Sequence, residues 1–179
     1  MADELIDVYN ENNEFLGIHK MKSAAHKDGL WHRASYIWIY NSNGEILIQL
    51  RAENKDLYPN LWDVSVAGHV GAGEDPIISA VREIKEEIGL SVTPEDLQFL
   101  KIRKHNAIYK QTKNNEFFYV YLLKFEGDIK KLTLQKEEVK KIKFVKPDKL
   151  EEELKIHSER YVPHLGYWSE MIDRIRCNI

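Results

Sequence analysis

Three carboxylates, Glu83, Glu86 and Glu87, crowd into the stretch GAGEDPIISAVREIKEEIGL, residues 71–90, with Arg82 immediately before the first of them. Like charges three and four residues apart on a helix repel by roughly a few tenths of a kcal/mol per pair. The cluster therefore invites a cation. Hard divalent ions such as magnesium take carboxylate oxygens as ligands and retain several waters. The same spacing also describes an acidic outer face in plain water, and spacing alone does not separate the two readings.

The elements that must position these acids are legible around them. Pro76 suits a first helical position, where its missing N–H has no partner to lose, and Asp75 before it can cap the exposed amides. Gly89 is placed to end the helix in a left-handed turn. A helix over 76–88 puts Ile77, Ala80, Val81, Ile84 and Ile88 on one arc and the three glutamates on the opposite one. Around it the chain alternates apolar runs with turn residues. ELIDVYNENNEFLGIHK reads as an N-terminal hairpin over about 5–20, and ASYIWIY and EILIQL flank NSNG, whose Asn-Gly favours a tight hairpin turn. Further strands are expected at 64–70, 96–104, 116–125 and 139–146. A C-terminal helical region over about 148–176 is split by Pro163 and Gly166. Strands outnumber helices and cannot all be joined by helical crossovers, so an α+β fold with a mixed sheet packed against helices is expected.

Composition limits the partners. The 179 residues suit one domain over 1–179, 43% of them hydrophobic and 31% charged, with a formal net charge of −3. That balance argues against a general attraction to nucleic acid polymers or anionic membranes. The single cysteine, Cys177, has no internal partner, the N-terminus lacks a cationic start before an apolar run, and no run approaches a membrane span. A cytoplasmic protein is expected, as a monomer or homodimer.

Written in full, the acidic segment is Gly68, five residues, Glu74, seven residues, then Arg82, Glu83, Ile84, any residue, Glu86, Glu87, any residue, Gly89 and Leu90. Over 68–90 this resembles the signature of the Nudix hydrolases at every defined position. The resemblance implies an α/β/α sandwich in which magnesium or manganese is held by Glu83, Glu86, Glu87 and the Gly68 carbonyl. Glu83 would be a ligand or assist the attacking water, and Arg82 would orient a carboxylate. Glu74 would reach the metal through water or be structural.

Upstream, HRASYIWIYNSNGEILIQLRAENKDLYPNLWDVSVAGHV is similar to the type I isopentenyl diphosphate isomerases, a Nudix-fold subgroup. The isomerases carry a cysteine before a Gly-His pair, whereas Ala67 stands before Gly68 and His69 here. Their metal site draws on histidines matched by His32 and His69. His26 matches only with a one-residue deletion, and their glutamate pair appears as Asn114 and Glu116. Lys22, Arg51 and Lys55 align with cations that hold the diphosphate. Glu137 and Glu138 lie where many Nudix enzymes place a loop glutamate as general base, a role open also to Glu83 and Glu116. Trp31, Trp62, Tyr58 and Tyr109 are aromatic candidates for a core or a stacking surface. With the thiol absent and the acidic helix intact, the resemblance implies a magnesium-dependent pyrophosphohydrolase. Its substrate would be a small nucleoside diphosphate derivative or related X-linked diphosphate. The alternatives are isomerase-like chemistry and a non-catalytic nucleotide-sensing module.

Overall fold

The computed structural model describes residues 3–110, 112–164 and 166–178. The N-terminal hairpin forms as expected from β1 (Leu5–Tyr9) and β2 (Phe15–Met21), an antiparallel pair with Asn13 at φ +64° in its turn. After it comes a helix that the sequence reading lacks, α1 (Lys22–Asp28). Seven residues give too few turns for a periodic apolar stripe to show. Gly29 ends it at φ +68°, donating its N–H to the Ala25 and His26 carbonyls.

The main sheet holds β3 (His32–Tyr40), β4 (Ile46–Arg51), β5 (Trp62–Asp63), β6 (Val66–His69), β7 (Leu97–Tyr109), β8 (Thr112–Lys124) and β9 (Val139–Val145). It is mixed: β3 runs parallel to β8, and the other pairings are antiparallel. The expected hairpin over NSNG is the loosest part. β3 and β4 share only the pair Tyr40↔Ile46. Their loop is closed by the Asn41 side chain, whose Oδ1 accepts from the Asn43 and Glu45 amides at 3.0 and 2.9 Å, with Gly44 at φ +72°. The backbone joins in, with the Gly44 N–H donating to the Asn41 carbonyl at 2.9 Å and the Asn41 N–H to the Glu45 carbonyl at 3.1 Å, so a three-residue loop braced by the Asn41 side chain replaces the two-residue Asn-Gly turn.

Helices cover both faces. α2 (Pro76–Ile88) spans the limits read from the sequence, with the Asp75 carboxylate accepting from the Ile77 amide at 3.0 Å. Its Ala80, Ile84 and Ile88 pack with Ile37, Ile39, Leu47, Val66 and Leu123 on one face of the sheet. α3 (Pro147–Ile156) and α4 (Tyr167–Arg176) cover the other, where Leu150, Trp168, Met171 and Ile172 meet Trp38, Ile46, Ile48 and Val120. Trp38 is fully buried and donates its indole N–H to the Tyr167 hydroxyl at 2.9 Å. The result is the expected three-layer sandwich.

Gly89 closes α2 at φ +71°, and a Cβ there would lie 2.9 Å from the Thr133 carbonyl oxygen. Backbone strain and contact with a fixed carbonyl add together, so Gly89→Ala is expected to destabilise the fold by about 1–2 kcal/mol. Thermal unfolding reads this as a melting temperature lower by several degrees. An unchanged melting temperature would show that the α2 terminus relaxes freely.

Candidate functional site

The loose β3–β4 pairing creates the site. One continuous segment, 62–69, pairs with β4 through Trp62 and Asp63, then crosses to pair with β3 through Val66 to His69. Ser65 stitches the crossing, accepting from the Ile39 amide at 2.7 Å and donating to the Leu47 carbonyl at 2.6 Å. Beyond that stitch the two strands part, and a cavity of about 250 Å³ occupies the wedge. Ala34, Tyr36, Ala67, Gly68 and His69 line it from one arm and Arg51 and Asp63 from the other, with Glu83, Glu86 and Glu87 entering from α2.

The acidic arc of α2 is not the solvent-facing opposite of its apolar arc. Glu83 and Glu87 are buried, at 8% and 3% exposure, while the Glu86 side chain is half exposed. The space for Glu83 exists because residue 68 is glycine: a Cβ there would fall 1.9 Å from the Glu83 carboxyl carbon. Burial pushes the Glu83 carboxyl up to about 7, against the opposing pull of Arg82. Burial and the neighbouring Glu83 charge raise Glu87 well above the usual carboxylate range. The Gln49 amide donates to Glu87 Oε2 at 3.1 Å.

Arg82 organises this face. It donates to both Glu74 oxygens at 3.1 and 2.9 Å, to Glu83 at 2.7 Å, to Glu86 at 3.1 Å and to the His69 carbonyl at 3.1 Å. Its pKa is raised, chiefly by the Glu74 hydrogen bonds. Glu74 also accepts from the Gly71 amide at 3.0 Å, so it braces Arg82. Two buried acids that share one cavity with Glu86 offer carboxylate oxygens, the ligand type that magnesium or manganese prefers. Their raised pKa values reflect charge that a cation would neutralise.

A second cluster adjoins the first. Nε2 of His26 lies 3.2 Å from Nε2 of His32 and 3.3 Å from Nε2 of His69. Glu116 Oε1 lies 3.5 Å from His32 Nε2 and 3.4 Å from His69 Nε2. All four ligand atoms sit within 4.8 Å of one another. His32 Nδ1 faces the Leu30 carbonyl at 2.9 Å, which fixes its ring and turns Nε2 inward. Burial, helped by His69 and His32, pushes His26 down to about 3, and burial lowers His69. For Glu116 burial acts upward but is outweighed by the His32 and His69 hydrogen bonds, leaving it well below its ordinary value. Neutral imidazoles and an ionised carboxylate are the forms that bind a metal. This nitrogen-rich set suits zinc-like ions better than magnesium. Sequence reading brought in His32, His69 and Glu116 but left His26 out of the site, since it matches the isomerase pattern only with a one-residue deletion; α1 and its Gly29 turn bring it to the other three.

The three expected cations all line the cavity, and each already holds an acid. Lys22 pairs with Glu4 at 2.9 Å and Lys55 pairs with Glu138. Arg51 donates to Asp63 at 3.1 Å and to the Leu57 carbonyl at 3.0 and 2.9 Å. Of the two loop glutamates, Glu138 lines the cavity and Glu137 faces a separate depression beside Lys140. Tyr58 lines the cavity at φ +50° with its ring 4.3 Å from that of Tyr109, at the tip of the β7–β8 hairpin. Trp31 packs on Phe117 and Trp62 lies under Lys143. Ala67 occupies the cavity wall where a thiol was sought, and Cys177 is exposed after α4. Asp63 and His164, paired at 2.8 Å and both buried, are cavity residues that the sequence did not signal, being 101 positions apart.

Among the described residues, no helix is long and apolar enough to cross a membrane. Comparison with known proteins agrees with the fold. A protein from Deinococcus radiodurans solved by crystallography superposes with a TM-score of 0.69 at 24% identity, covering 96% of this chain and 99% of that one. Nudix hydrolase 3 of Arabidopsis thaliana is 35% identical across 100% of this chain, which spans only 24% of that protein's length. An uncharacterized Nudix hydrolase of Clostridium acetobutylicum is 33% identical over 78% of this chain and 68% of its own. The NUDIX domain pattern itself runs over residues 30–165, across the wedge and the acidic helix alike. The chain belongs to the Nudix hydrolase family.

Proposed function

We propose that the protein hydrolyses a phosphoanhydride bond in a small nucleoside diphosphate derivative or related X-linked diphosphate. The observation that carries this reading is the burial of Glu83 and Glu87 side by side in a cavity that also contains Arg51 and Lys55. Glu83, Glu86, Glu87 and the Gly68 carbonyl would hold magnesium or manganese. Bound there, the ion would supply charge neutralisation of the diphosphate and activation of water. Arg82 keeps the carboxylates oriented, and Lys22, Arg51 and Lys55 exchange their present acid partners for phosphate oxygens. Glu138, released by Lys55 as phosphate arrives, and Glu83 are the candidates to accept a proton from the attacking water. His26, His32, His69 and Glu116 would hold a second, zinc-like ion beside them.

Hydrolysis is favoured over double-bond isomerisation because Ala67 brings no thiol to the cavity wall. The test is a panel of nucleoside, sugar, isoprenoid and thiamine diphosphates, with and without magnesium, followed by phosphorus NMR. Magnesium-dependent release of phosphate or a phosphoester is expected. A product with its diphosphate intact and its double bond moved would overturn the reading, as would tight binding without turnover.

A further inference from the structure

Side chains along β4 alternate between the two cores: Ile46 and Ile48 join the one under α3 and α4, and Leu47 joins the one under α2. Gln49 continues the α2 side and breaks its apolar run. It is 1% exposed, and its backbone is held from both edges, opposite Asp63 of β5 and Ile142 of β9. Nε2 donates to Glu87 Oε2 at 3.1 Å, while Oε1 is buried with no partner. A ligating carboxylate only accepts hydrogen bonds, so the amide end that faces Glu87 is the N–H. An amide buried with its other end unpaired weakens a fold, and an apolar side chain of the same shape would serve the packing better. What glutamine alone provides at this position is the hydrogen bond to Glu87.

We propose that Gln49 is a positioning residue for the metal site: by holding Oε2 it fixes the Glu87 carboxylate in one orientation toward the ion, at a cost to the stability of the metal-free fold. Gln49 does not itself line the cavity and acts through Glu87. Glu83 and Glu86 take their hydrogen bonds from the Arg82 guanidinium, whereas Glu87 takes its own from a neutral donor. A neutral donor orients the acid without cancelling the charge that draws a cation. Hydrogen-bond partners of metal ligands typically carry about 10–100-fold of metal affinity. This inference rests on the reading of Glu83, Glu86 and Glu87 as metal ligands and adds the residue that aims one of them.

Manganese binding followed by electron paramagnetic resonance, with melting of the chelator-treated protein in parallel, tests it without recourse to activity. The manganese that counts is the fraction lost in Glu86→Gln, which separates it from any ion on the histidine cluster. Gln49→Met, unbranched and of similar length, is expected to weaken that binding by about tenfold and to raise the metal-free melting temperature by a few degrees. Gln49→Leu guards against a misfit peculiar to methionine and should move both readouts the same way. Unchanged manganese affinity in both variants overturns the proposal while leaving the metal site standing. A lower metal-free melting temperature in both also overturns it, because the amide would then be serving the fold. If the wild type binds no manganese that depends on Glu86, the metal reading fails and the positioning role falls with it.

Discussion

Glu87→Gln is expected to lower kcat by about a thousandfold or more, with the metal-free protein unfolding at no lower temperature than the parent. Glu87 is 3% exposed, and burial together with the Glu83 charge makes its ionised form costly. Glutamine keeps the shape and still accepts the hydrogen bond from Gln49, but carries no charge to desolvate, so the fold loses little. Catalysis loses much, because a missing anionic ligand weakens ion binding and removes transition-state charge stabilisation together. Roughly 4 kcal/mol corresponds to a thousandfold in rate. Steady-state kinetics at saturating magnesium with a parallel melting curve check both halves. Activity within tenfold of the parent would remove Glu87 from the reaction.

Gly68→Ala is expected to cut kcat/KM by about a hundredfold and to raise the magnesium concentration needed for half-maximal rate. The new methyl would sit 1.9 Å from the Glu83 carboxyl carbon and 2.3 Å from its Oε1, so the carboxylate must leave its position. It is the free end of a flexible side chain, and the glycine does not occupy the left-handed region, so the backbone of β6 can stay as it is. Positioning errors of about 1 Å at a reacting centre are known to cost on the order of a hundredfold. The melting temperature should move by only a few degrees. Rescue of the rate by Glu83→Asp in the Gly68→Ala background, through a side chain shorter by one methylene, would tie the loss to carboxylate placement. Full activity in Gly68→Ala would show that Glu83 works from another position.

These two residues mark different degrees of legibility. The helix that carries Glu87 is fixed by near neighbours: Asp75 caps the Ile77 amide, Pro76 opens the first turn, Gly89 closes the last, and the apolar repeat is complete within 76–88. Which oxygens the helix offers, and hence its preference for hard cations, follow from residue identity. The burial of those oxygens does not. A helical repeat reports one apolar arc, but α2 lies against β6, where the absent side chain of Gly68 lets a second, charged arc sink inward.

By itself the sequence determined the α2 caps and limits, most strands, and an acidic face suited to divalent metal, because each of these depends on residues within a few positions of one another. Tertiary structure alone decided that β3 and β4 part after one shared pair, so that a cavity opens between them. It also decided that parallel pairing sets His32 beside Glu116, that the Gly29 turn returns His26 to them, and that Asp63 meets His164. Contacts between residues so far apart depend on strand register and chain crossings, which no short stretch of sequence encodes.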